Sequence, residues 1–230
     1  MPCDPARATL GAMIRALALA LSLACSGPAR ACETALLLAI DVSGSIDRGE
    51  YALQAEGLAL ALSDPAVADL LLAGESALAI VHWSGVGRQA LALPWRRMLA
   101  PSDVAAFAGA SRTLPRAFTA SDTAVGEAIS FSLAQFAAVA DCRRRVIDIS
   151  GDGPENAGFT VARARRAAEA AAVEINAIAI EDMGAPAPIT AFYRRWAVTR
   201  TGFVLTARGL QDYRRAIREK LLRELGKPAS

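Results

Sequence analysis

Histidine is nearly absent from this chain. His82 is the single copy, and no cysteine or second histidine stands at zinc spacing from it. An imidazole-based metal centre is therefore not indicated, and His82 reads as a packed or surface residue rather than a ligand. There is no G-x-S-x-G elbow, no P-loop and no G-x-G-x-x-G after a strand, so the enzymes that depend on those turns are not indicated. Beyond the N-terminal segment, no apolar run approaches the length of a membrane span. No linker, repeat or low-complexity tract divides the remainder. Charge of one sign is missing as well. The chain has 25 Lys and Arg against 23 Asp and Glu, and Arg7, Arg15, Arg30 and Asp4 all fall within residues 1–31. Without them the charges balance, so neither nucleic acid nor an anionic membrane surface is indicated as a partner.

The N-terminal segment has an address of its own. Arg15 precedes the apolar run Ala16–Ala24, and Ala29-Arg30-Ala31 follows it. A basic start, a short apolar centre and an A-x-A exit describe a secretory signal peptide cut after Ala31. Met13 offers an internal start for a shorter version of the same signal. Lipoprotein anchoring through Cys25 is the rival, although Ser22-Leu23-Ala24 matches a lipobox poorly. Export gives a periplasmic or secreted protein, with residues 32–230 as one domain. Of four cysteines, Cys3 and Cys25 leave with the signal, and Cys32 and Cys142 meet an oxidising compartment.

At 230 residues, 53% of them hydrophobic and many of those alanine, the chain can build one sizeable core with helices laid on a sheet. Leu36–Ile40 is an unbroken apolar run of strand length, suited to a central strand covered on both faces. It stops at Asp41, and Ser43 and Ser45 follow at alternate positions. In extended backbone alternate residues point the same way, so the three side chains can converge where the strand becomes loop. Oxygen ligands of that kind suit a hard cation such as Mg²⁺. The plain alternative is that they shape a turn and cap the next helix.

Periodicity supplies the other elements. Helices are expected over Gly49–Ser63, with Asp47 as cap, from Pro65 to near Gly74, and from a cap at Ser102 to about Ala110. Further helices fall over Ala124–Val139, Val161–Ala172, Ile189–Ala197 and Leu210–Leu225. Strands are expected at Ala77–Val81, Gln89–Leu93, Arg145–Ser150, Glu174–Ile180 and Phe203–Thr206, the second as an antiparallel edge after the turn Gly85-Val86-Gly87. Alternation of strand and helix gives an α/β fold, a doubly wound and mostly parallel sheet with helices on both faces.

Ligands of such sheets bind beyond the carboxyl ends of the strands. Asp41 and Asp152 both follow strands there, and Thr123 opens a helix after a polar loop that reaches the same edge. At this point the sequence resembles the von Willebrand factor type A domain, the integrin I-domain fold. That family's metal-ion-dependent adhesion site is D-x-S-x-S, then a threonine, then an aspartate in a D-G turn. Asp41, Ser43 and Ser45, then Thr123 in Thr123-Ala124-Val125-Gly126, then Asp152-Gly153 match it. The stretches Cys142–Pro154 and Phe192-Tyr193-Arg194-Arg195 look closer still to an uncharacterised branch of exported proteobacterial proteins of this type. The resemblance implies one Mg²⁺ or Mn²⁺, hydroxyls that coordinate directly, one or both aspartates that act through water, and a protein partner that offers an acidic residue. It implies a binding module and no enzyme. A metal-dependent hydrolase of the phosphatase kind is the alternative, although a haloacid-dehalogenase-type site needs a second Asp where Ser43 stands. A structural secreted domain with a vestigial site is the other.

The same fold sets the strands that end at Asp41 and Asp152 side by side. Cys32 lies nine residues before Asp41 and Cys142 ten before Asp152, which implies a disulfide at the opposite edge, two unpaired thiols being the alternative. Elsewhere Trp83 and Trp95 read as cover for the sheet. Asp148 reads as a buried, hydrogen-bonded acid or a further metal ligand. Asp122 and Glu155 read as caps, Glu155 also as part of the site's rim, and Arg143-Arg144-Arg145 as the solvated start of a strand.

Overall fold

Six strands form the sheet: β1 (Thr34–Asp41), β2 (Ala77–Trp83), β3 (Gln89–Arg97), β4 (Arg144–Gly151), β5 (Glu174–Glu181) and β6 (Val204–Arg208), in the order β3-β2-β1-β4-β5-β6. The computed structural model describes residues 32–119, 122–181 and 188–227. The expected signal over residues 1–31, with Cys25, lies outside them, as do Ser121 and Pro186. Only the β2–β3 pairing is antiparallel; the others are parallel. The edge strand runs to Arg97 instead of stopping at Leu93. It carries Pro94, which an edge position tolerates because no ladder hydrogen bond is then lost, and its register against β2 shifts between Leu78 and Val81.

β1 is buried over its whole length, and its side chains alternate between two cores. Leu36, Leu38 and Ile40 meet Leu58, Leu62, Ile217 and Leu221 on one face, and Leu37 and Ala39 meet Val125, Ile129, Ala164 and Ala168 on the other. Each fully buried leucine contributes about 1.5–3 kcal/mol. The first face is covered by α1 (Arg48–Leu62), α2 (Pro65–Ala73), α3 (Pro101–Arg112) and α7 (Tyr213–Leu225). The second is covered by α4 (Val125–Gln135), α5 (Val161–Ala170) and the short α6 (Ile189–Phe192), which runs into a π turn at Tyr193–Ala197. Alanines such as Ala128, Ala164 and Ala168 bring the second layer close to the sheet.

Local chemistry explains where helices begin. Asp47 Oδ1 accepts the Glu50 N–H (2.8 Å) while Glu50 Oε2 accepts the Asp47 N–H (2.7 Å), a reciprocal capping box. α3 departs from expectation. Pro101 takes its first turn, and Asp103 rather than Ser102 accepts the free N–H of Ala100 at 2.9 Å. The helix expected to reach Val139 stops at Gln135 and tightens into a 3₁₀ turn over Phe136–Val139. Trp83 is fully buried, and Trp95 lies beside Phe136 and donates its indole N–H to the Gln135 carbonyl at 3.0 Å.

β1 and β4 pair with Thr34 opposite Arg144. Two residues back, Cys32 and Cys142 are bonded, with Cα atoms 4.4 Å apart. Both are buried, and the Arg143 N–H donates to the Cys32 carbonyl at 2.9 Å, so the first described residue is held by both bond types.

Candidate metal site

The register that seats the cysteines at one edge also decides what meets at the other. Ile40 lies opposite Ser150, so Asp41 and Gly151 close the two strands and Asp152 stands one residue beyond. Asp41 is fully buried, and its Oδ1 accepts the Ser43 N–H at 2.7 Å. This bond from an aspartate to the backbone two residues on bends the chain out of the strand. The bend sets the Ser43 and Ser45 hydroxyls 3.1 Å apart, and Ser45 Oγ donates to Asp152 Oδ1 at 2.7 Å.

Thr123 arrives from the segment before α4. Its N–H donates to Asn156 Oδ1 at 2.8 Å, and its carbonyl accepts the N–H of Asn156 at 3.0 Å and of Ala157 at 3.3 Å. These bonds tie it to the loop that carries Asp152. Thr123 Oγ1 lies 3.9 Å from where a side chain on Gly153 would begin. Asp41, Ser43, Ser45 and Asp152 are thus joined in one chain of hydrogen bonds, with Thr123 beside it.

The electrostatics fit a cation. Asp41 Oδ2 is buried and has no hydrogen-bond partner among the described residues. Burial first, and then the charge of Asp152, push the Asp41 carboxyl up to about 7. A buried carboxylate facing a second one is costly for polypeptide alone, and a positive ion between them removes that cost. Among the described residues no three His, Cys, Asp or Glu side chains gather as a metal cluster, so any ion here depends on hydroxyls and water as well. An all-oxygen set of this kind suits a hard divalent cation.

Several neighbours carry no periodic or motif signal of this role. Arg116, in the loop before Thr123, donates through Nη2 to the carbonyls of Val42 (2.8 Å) and Ser43 (2.6 Å), which pins the bend from behind. Ser84 accepts the Ala124 N–H on its carbonyl at 2.9 Å. Tyr193, within a stretch singled out only for its resemblance, is fully buried with an unpartnered hydroxyl. Burial, then the charges of Asp41 and Asp152, hold it well above the usual phenol range, so it keeps its proton. A side chain on Gly151 would collide with that hydroxyl and come within 3.0 Å of Asp41 Oδ2. That close approach is what requires glycine there.

The remaining candidates have structural roles. Glu155 accepts the N–H of Gly126 (2.9 Å), Thr160 (3.3 Å) and Val161 (3.2 Å), serving the first turns of α4 and α5 at once. Asp122 does not cap α4, whose cap position is Ala124 without a side-chain bond; its carbonyl accepts the Ser84 hydroxyl at 3.4 Å. His82 is buried with Nε2 3.3 Å from the Tyr51 hydroxyl. Burial, then Arg116, push it down to about 4, so it is neutral at pH 7. Asp148 is neither exposed nor at the metal edge; Lys220 Nζ lies 2.6 Å from its Oδ1.

Known structures share this architecture. Proximal thread matrix protein 1 from the mussel byssus, in a form described as having a zinc-occupied MIDAS motif, is 17% identical with a TM-score of 0.63, over 85% of this chain and 48% of that one. A von Willebrand factor type A protein from Catenulispora acidiphila is 19% identical with a TM-score of 0.63, over 85% and 43%. The chain thus spans under half the length of these two relatives. BatB from Bacteroides thetaiotaomicron, a conserved hypothetical protein, is 17% identical with a TM-score of 0.57, over 84% and 98%. No curated protein matches the chain. A family model described as "Protein of unknown function (DUF1194)" matches residues 31–229; the chain belongs to that family and has the von Willebrand factor type A fold.

Proposed function

We propose that the chain is an exported, metal-dependent protein-binding module. Ser43, Ser45 and Thr123 hold one Mg²⁺ or Mn²⁺ through their hydroxyls, with one or both of Asp41 and Asp152 acting through water. The observation that carries this reading is the buried, unpartnered Asp41 Oδ2 at one end of the hydrogen-bond chain that joins Ser43, Ser45 and Asp152. Two carboxylates balance the charge of a divalent ion, and neutral hydroxyls leave it electrophilic. Mg²⁺ takes six oxygens and keeps water where protein supplies none. A carboxylate from a partner protein can replace that water, which makes the contact adhesive and metal-dependent. The zinc-occupied motif named for the mussel protein supports the same use of this fold. Export is supported by the signal read over residues 1–31 and by the disulfide, which persists in an oxidising compartment.

Capture of a partner from periplasmic extract, with Mg²⁺ and with EDTA, tests the function. Retention in Mg²⁺ and release by EDTA, with no capture by Thr123→Ala, is the expected result. A partner that stays bound through EDTA and through Thr123→Ala binds another face. Hydrolytic turnover that survives purification and vanishes in Asp41→Asn would replace this reading with an enzymatic one.

A further inference from the structure

Away from the metal edge, two adjoining cavities of about 560 and 380 Å³ run between the amino ends of β4 and β5, helix α5 and the segment 198–202, sharing Glu169, Thr199 and Arg200. Arg143, Arg145 and Arg200 line the larger, and Arg165, Arg194 and Arg200 the smaller. Charge in this groove is not balanced. Arg143, itself exposed, has the half-buried carboxylate of Glu33 at 3.4 Å, while Arg145, Arg165, Arg194 and Arg200 form no ion pair among the described residues. Glu174, at the rim, is taken by Lys227 at 2.6 Å and Arg144 at 3.7 Å. Glu169 alone remains, and its Oε1 accepts the Arg200 N–H at 3.2 Å.

Structural roles account for part of this. Arg145 donates to the Ala171 carbonyl at 2.9 Å, a cation at the negative end of α5. That does not explain Arg165 in the middle of the helix, whose Nη1 donates to the Arg195 carbonyl at 2.8 Å while its Nε is buried without a partner. Nor does it explain Arg194 and Arg200 beside it. Unpaired like charges gathered in one place oppose folding, and they stand out in a chain whose charges balance as a whole beyond the N-terminal segment.

We propose that this groove is a binding site for a ligand carrying phosphate groups. Guanidinium forks pair with the oxygens of phosphate, and a single carboxylate with two oxygens would leave most of them unused. The cavity volumes fall in the range of small-molecule sites. The phosphate belongs either to a soluble phosphate ester or to a phospholipid headgroup. The site shares no residue with the metal edge and does not depend on the function proposed for it.

The test uses the purified exported protein in EDTA, so that the metal edge takes no part, and at about 50 mM salt to limit screening. Inorganic pyrophosphate is titrated by calorimetry, and vesicles of phosphatidylglycerol and phosphatidylcholine are compared with phosphatidylcholine alone by co-sedimentation. The wild type is expected to bind at least one probe, and Arg165→Gln with Arg200→Gln to weaken that binding about tenfold or more. Arg96→Gln, an exposed arginine on β3, should leave it within about twofold. Arg194→Gln, whose side chain is exposed, serves as a second variant should the double one melt early, and is expected to weaken binding several-fold. Pyrophosphate binding identifies a soluble ligand, and binding to the anionic vesicles alone identifies a headgroup. No binding of either probe by the wild type, or groove variants that bind as Arg96→Gln does, overturns the proposal.

Discussion

Asp41 and Asp148 stand on neighbouring central strands, both out of solvent, and the fold treats them in opposite ways. Asp148 lies mid-strand opposite Leu38, with Lys220 of α7 2.6 Å away. The same ammonium lies 2.6 Å from Glu224, which also accepts from Asn176 at 2.8 Å. Each of the two acids keeps one buried oxygen without a hydrogen-bond partner among the described residues, but Asp41, at the strand's end, also forms no ion pair there. Burial raises both acids. For Asp148 the protein provides the opposing charge, and this centre joins the closing helix to the sheet. For Asp41 it provides only Arg116, the weakest of the influences on that carboxyl. A buried acid is therefore uninformative by itself; what separates structure from function is whether the fold supplies its counter-charge.

The contrast can be strained from several sides. Both acids depend on the β1–β4 register, and Cys32–Cys142 closes a loop with a sequence separation of 110. Replacing both cysteines with serine should cost about 4–5 kcal/mol by chain entropy while leaving the metal affinity of the folded fraction unchanged; urea unfolding and a metal titration read the two separately. Lys220→Met leaves Asp148 and Glu224 without their cation, and unfolding should show a loss of about 3–5 kcal/mol. If the loss were small, the two acids would be no different in kind.

Asp41→Asn should act in the other direction. Its folded carboxyl titrates near 7 against an ordinary value of 3.8, so between those values the folded state binds more protons than the unfolded one. Stability is then highest below about pH 4 and falls as pH rises through 7. In EDTA the wild type should lose a few kcal/mol across that window, and Asp41→Asn should lose much less and be the more stable at pH 7.5. Asp47→Ala, the smallest effect, removes a cap of about 1 kcal/mol and should leave metal binding untouched, because Asp47 serves α1 alone.

Much of this was legible in the chain itself. The apolar run before Asp41 marks a strand covered on both faces, but alternation does not extend to Ser43 and Ser45: β1 ends at Asp41, and the bend made by the Ser43 N–H on Asp41 Oδ1 sets the two hydroxyls. The cysteine spacing fits the strand register because parallel neighbours advance together. Cap details were less legible. Ser102 is a good cap by type, but Pro101 fixes the first turn and Asp103 reaches the free N–H groups instead. Arg116 and Tyr193 escaped because their positions depend on loops and a π turn, which leave no period in the sequence. Lys220 escaped for a related reason: its pairing with Asp148 joins residues far apart in sequence, and only the docking of α7 brings them together.

The central claim is that the acid left without a counter-charge takes one from a metal ion. Calorimetric titration of the purified protein with Mg²⁺, and with Mn²⁺, addresses it directly, with Asp41→Ala as the comparison. The account predicts a single site in the wild type and none in the variant. Equal binding by the two proteins, or no binding by the wild type, would contradict it.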